Sequence, residues 1–100
     1  MTSNMQDYDA VRASFRWERP AKYNFAREVI DAWAARDPNK LALHWVDDYG
    51  HEAKRTFTDI SVRSQQLARA LTNLGVSRGD TVIVILGRQI AWWETVSACL

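Results

Sequence analysis

The run Thr81-Val-Ile-Val-Ile-Leu86 follows the turn-forming stretch Gly75-Val-Ser-Arg-Gly-Asp80 and carries no polar side chain after Thr81. β-Branched and aliphatic residues without polar alternation suit a strand covered on both faces, as parallel strands in α/β proteins are. Such a strand constrains its surroundings, because helices have to cover it. On its N-terminal side Ile60, Ser64, Leu67, Ala68, Leu71 and Leu74 share one face at helical spacing, which predicts a helix over 59–74. Gly75 then stands where a left-handed residue ends such a helix. On the C-terminal side a second helix starts near Ile90, with Trp92, Val96 and Cys99 on its apolar stripe and Trp93 and Leu100 beside it. That stripe is still running at the last residue, so the chain is expected to stop in mid-helix. Leu67, Leu71, Val82, Val84, Trp92 and Val96 are the expected buried residues.

Before this unit, residues 1–23 show no sustained period. Tyr8, Val11, Phe15 and Trp17 are the larger anchors, and Pro20 interrupts any continuing helix, so the stretch reads as an arm with at most one short helix. Asn24 is suited to cap the next helix, whose apolar face is Phe25, Ala26, Val29, Ile30 and Trp33. Its end is expected near Arg36, since Asp37 precedes Pro38 and is pushed out of the α region. Leu41–Val46 is a candidate strand, Asp47-Asp-Tyr-Gly50 is turn chemistry, and His51–Phe57 is a more polar return strand; together they predict a hairpin. Thr58 is the expected N-cap of the following helix, with Asp59 adding negative charge to its first turn.

Composition excludes several functions. A formal net charge of +1 supplies no basic excess for nucleic acid or an anionic membrane. The single cysteine, Cys99, has no partner for an internal disulfide and no metal-ligand spacing, which fits a reducing compartment and a small core residue. Residues 1–30 contain Asp7, Asp9, Arg12, Arg16, Glu18 and Arg19 and no apolar leader core, and no run approaches the roughly 18 apolar residues of a membrane span. The location expected from these features is cytoplasmic.

Individual motifs are weak. Arg78-Gly79-Asp80 spells an adhesion tripeptide, but it leads straight into an apolar run and is better explained as a tight turn, with Gly79 taking an unusual backbone angle and Asp80 binding local amides. His44 and His51 fall in or beside the hairpin without Cys, Asp or Glu at ligand spacing, and read as strand side chains. Five tryptophans are many for this length, yet stacking platforms for bases come with a positive groove that this chain lacks, so packing is their better use. Neither G-x-G-x-x-G nor G-x-x-x-x-G-K occurs. Only Leu86-Gly87-Arg88-Gln89 supports a site, because a turn at the carboxyl end of a parallel strand is where open α/β sheets bind ligands; Arg88 is the candidate cofactor contact. No nucleophile–base pair and no metal cluster is legible, so no catalytic residue is assigned.

Three stretches, in this order and spacing, resemble the N-terminal portion of AMP-forming acyl-CoA synthetases of the adenylate-forming superfamily, most closely the medium-chain branch. Tyr8-Asp9, Phe15-Arg16-Trp17, Pro20 and Tyr23-Asn24-Phe25 are similar to the opening arm of bacterial members. Thr56-Phe57-Thr58-Asp59-Ile60 resembles the first core motif, with Asp and Ile as conservative departures. Gly75-Val-Ser-Arg-Gly-Asp-Thr-Val82 resembles the turn into the first buried strand, and Arg88 with Trp92-Trp93-Glu94 the helix after it. Gly87 departs from the proline common among relatives.

The resemblance implies an α/β fold: residues 1–23 an arm, and residues 24–100 the truncated start of the large adenylate-forming domain, with a hairpin, a helix–strand–helix unit and an incomplete sheet. It implies an intact ligase that uses ATP, Mg2+ and coenzyme A to turn a carboxylic acid, a medium-chain fatty acid in that branch, into its CoA thioester through an acyl-adenylate. The phosphate loop, acidic ATP motif and mobile-domain lysine of the family all lie beyond Leu100, so these 100 residues are expected to be inactive alone. The remainder of the synthetase chain is then a partner. Two rivals are another α/β nucleotide-binding enzyme and a self-contained, tryptophan-rich interaction module, which would need a closed core.

Overall fold

The computed structural model describes residues 7–100. Helix α1 (Tyr8–Ser14) is capped by Asp7, whose side chain accepts from the Ala10 amide at 3.1 Å, and all of its residues are exposed. It is the short helix expected in the arm.

Asn24 caps the next helix as anticipated, its side-chain oxygen accepting from the Arg27 amide at 3.1 Å. The helix begins as a π-helical run, Ala26–Asp31, and continues as α2 (Ala32–Arg36), with Asp37 leaving helical geometry ahead of Pro38. The π run ends on Asp31, which accepts hydrogen bonds from Ser61 Oγ (2.6 Å) and Gln65 Nε2 (3.3 Å) and so ties this helix to the next. Trp33 stacks on Phe57 with ring centroids 6.0 Å apart, while the Arg36 guanidinium and the Lys40 ammonium each lie 4.9 Å from the Trp33 ring. An aromatic face that attracts cations is thereby shared between the apolar contact and the polar rim.

β1 (Leu41–Val46) and β2 (Glu52–Thr56) form the expected hairpin, an antiparallel pair that is the whole sheet among the described residues. The Asp47 carboxylate accepts from the amides of Tyr49 (2.9 Å) and His51 (2.8 Å), and Gly50 supplies the positive φ of 84° that closes the turn.

α3 (Phe57–Asn73) starts earlier than periodicity implies, and its N-cap is Thr56 rather than Thr58. The Thr56 hydroxyl accepts from the Asp59 amide at 3.1 Å and the Asp59 carboxylate accepts from the Thr56 amide at 2.8 Å, a reciprocal capping box. Thr58 does not cap the helix, because its hydroxyl donates instead to the Pro38 carbonyl at 2.8 Å. The far end is a Schellman motif: the Val76 amide donates to Leu71 O and the Gly75 amide to Thr72 O, both at 3.0 Å, with Gly75 at φ 96°. Gly79 at φ 92° turns the chain again, and Asp80 Oδ2 accepts from the Ser77 amide at 2.8 Å. Thus the Arg78-Gly79-Asp80 tripeptide is a tight turn.

The apolar run does not form the expected strand. Residues 81–86 pair with no neighbour among the described residues, although exposure alternates, Val82 and Val84 half-buried and Ile83 and Ile85 80% and 89% exposed. That alternation is the period of an extended segment covered on one face only. α4 (Ile90–Cys99) follows, starting where the sequence put it, and packs along α3.

The expected burial is also corrected. Leu67, Leu71, Val82, Val84 and Val96 are half-buried and Trp92 is exposed; among the described residues the buried ones are Ile60, Ser61 and Ser64. Cys99, read as a core residue, is exposed. A hydrophobic stripe is buried only if something lies across from it, and here the second layer is missing. The accessible surface, 8813 Å2, exceeds the roughly 5,800 Å2 that surface scaling gives for a self-contained protein of this mass. The radius of gyration, 17.2 Å, likewise exceeds the roughly 13 Å of a compact 100-residue domain. A closed interaction module is therefore not what this chain builds; a mixed helix and strand framework with an incomplete sheet is.

Candidate functional site

Arg88 lies in the turn between the apolar run and α4. The turn is tight, the Gln89 amide donating to Gly87 O at 2.8 Å, and Gln89 caps α4 without a side-chain hydrogen bond. Gly87 has no left-handed φ, and a Cβ built there meets nothing within 4 Å, so the local geometry has no need of glycine. The Arg88 carbonyl accepts a 2.6 Å hydrogen bond from the Trp45 indole, which fixes the turn against the hairpin. The Arg88 side chain is exposed and makes no ion pair among the described residues.

A cleft of about 420 Å3 opens beside α3 and α4, lined by Arg55, Asp59, Arg63, Ile90, Ala91 and Glu94. Arg88 is not part of it. Glu94, with its side chain 14% exposed, faces Arg63 Nε at 3.9 Å across the two helices. Asp59 is held ionised: the Thr56 amide and then the Thr56 hydroxyl lower its carboxyl pKa, desolvation opposes them, and the Arg55 charge lowers it further. Two guanidinium groups against two carboxylates leave the cleft without the net positive charge that a triphosphate requires. The residues lining this cleft therefore do not fit a nucleotide phosphate site, and no group of three or more His, Cys, Asp or Glu side chains among the described residues is arranged for a metal.

The histidines have carboxylate partners that their sequence spacing did not suggest. His44 Nε2 lies 2.9 Å from Glu52 Oε2 across the hairpin, and His51 Nδ1 lies 2.6 Å from Asp47 Oδ2. For Asp47, desolvation raises the carboxyl pKa, but hydrogen bonds from the His51 ring and from the amides of His51, Tyr49 and Gly50 outweigh it, and the net shift is downward. Cross-strand register, visible only once the hairpin is formed, brings His44 to Glu52. The Asp31–Ser61–Gln65 network and the Trp45–Arg88 link were equally invisible, since each joins residues from distant stretches.

Residues 30–100 match the AMP-binding enzyme family. This chain belongs to that family. The AMP-binding match begins within the π-helical run and covers the hairpin, α3, the apolar run and α4. This chain is also similar to mitochondrial acyl-coenzyme A synthetases. It is 33% identical to ACSM3 of Mus musculus over 103 aligned positions, covering 97% of this chain and 18% of the relative. It is 42% identical to ACSM2 of Rattus norvegicus over 90 positions, covering 83% of this chain and 16% of the relative. With ACSM2A of Homo sapiens it shares 40% over 97 positions, covering 87% and 17% respectively. The chain thus spans less than a fifth of the length of the curated relatives it matches.

The cytoplasmic expectation is overturned, because these relatives are mitochondrial by name. A single cysteine fits a reducing compartment and does not distinguish the cytosol from a mitochondrial compartment. No helix among the described residues is long and apolar enough to cross a membrane.

Proposed function

We propose that the chain is the N-terminal portion of an AMP-forming acyl-CoA synthetase, with residues 1–23 as an arm and residues 24–100 as the start of the adenylate-forming domain. The observation that carries this reading is the similarity to acyl-coenzyme A synthetases along 97% of the chain, which runs through both the arm and the domain start. The intact enzyme would activate a carboxylic acid, a medium-chain fatty acid on this reading, with Mg-ATP, release pyrophosphate, and pass the acyl group to the thiol of coenzyme A.

The physical properties of the segment agree with a supporting role. It supplies a hairpin, two packed helices and an apolar run awaiting sheet neighbours, while the groups that neutralise a phosphate come from elsewhere in the polypeptide. Arg88 is retained as the candidate cofactor contact, because it is an exposed cation with no ion pair among the described residues, in a turn that Trp45 holds in place.

Carboxylate-dependent exchange of pyrophosphate into ATP by the full-length protein, across saturated acids of increasing chain length, tests the assignment. Exchange that peaks at medium chain length is expected; a full-length protein with no carboxylate-dependent exchange would remove the synthetase assignment. In the same assay Arg88→Ala should raise the KM for ATP or coenzyme A, and unchanged KM values would remove Arg88 from the site.

A further inference from the structure

We draw no further inference here: the strongest candidate, the outward apolar face that Ile83 and Ile85 present on the unpaired run ahead of α4, carries nothing because nothing in the structure shows what covers it.

Discussion

The Trp45 indole nitrogen donates a 2.6 Å hydrogen bond to the carbonyl of Arg88, 43 residues further along the chain. It joins the hairpin to the start of α4 at the point where the apolar run ends. Net contributions of such bonds are about 0.5–1.5 kcal/mol. Trp45→Phe, which keeps the ring and removes the donor, should lower stability by roughly 1 kcal/mol and speed amide exchange from Arg88 to Ile90. Unchanged exchange in that turn would show that the bond does not hold it.

The capping box at the start of α3 gives a second expectation. Loss of a Thr N-cap destabilises by about 0.5–2 kcal/mol, so Thr56→Ala should lower the denaturation midpoint, with reduced helicity by circular dichroism. Thr58→Ala should cost less, because Thr58 makes a single exposed bond to Pro38 O. A larger loss from Thr58 than from Thr56 would contradict the assigned cap.

Two glycines should respond in opposite directions. Gly75 ends α3 at φ 96°, where an L side chain is strained whatever the space, so Gly75→Ala should destabilise by about 1–3 kcal/mol. Gly87 is unstrained and its Cβ position is open. Gly87→Ala should therefore stabilise by about 0.4–1 kcal/mol, chiefly by restricting the unfolded chain. Equilibrium unfolding in urea distinguishes the two.

Acid should weaken the fold through Asp47 and Asp59. Both carboxyls are lowered from an ordinary value of 3.8, so each binds a proton more readily in the unfolded chain. Their contribution is complete above 3.8 and is lost as the pH falls through the lower folded-state values. Thermal unfolding followed from neutral pH downward should show a decline that Asp59→Asn, which cannot titrate, makes shallower. An identical acid profile in that variant would mean that other groups govern the decline.

The 100 residues on their own should associate with concentration, without a fixed stoichiometry, because an apolar run with unpaired backbone is a template for further pairing. Sedimentation of the chain alone should show this, and Ile83→Lys with Ile85→Lys should reduce it. A monomer unfolding cooperatively with about 5–15 kcal/mol of stability would point back to a self-contained unit.

Local chemistry fixed much of this chain from its own residues. Asn24, Asp37-Pro38, the turn before Gly50, Gly75 and Gly79 each impose a backbone preference on their immediate neighbours, so the hairpin, both ends of the helix after Asn24 and the C-terminal end of α3 were legible without tertiary information. The apolar run at 81–86 was legible as an element that needs cover, and the order of short motifs indicated the AMP-binding family. What periodicity did not decide was the cap of α3, because Thr56 and Thr58 are equivalent by type and only the position of Pro38 O claims one of them. Nor did it decide burial: whether Trp92 or Val84 is covered depends on what packs across from it, and a stripe says only which side seeks a partner. The carboxylate partners of His44 and His51, the reach of Ser61 to Asp31, and the Trp45 bond to Arg88 came from the tertiary structure alone, since the distance between side chains on separate elements is set by packing and not by the residues of either element.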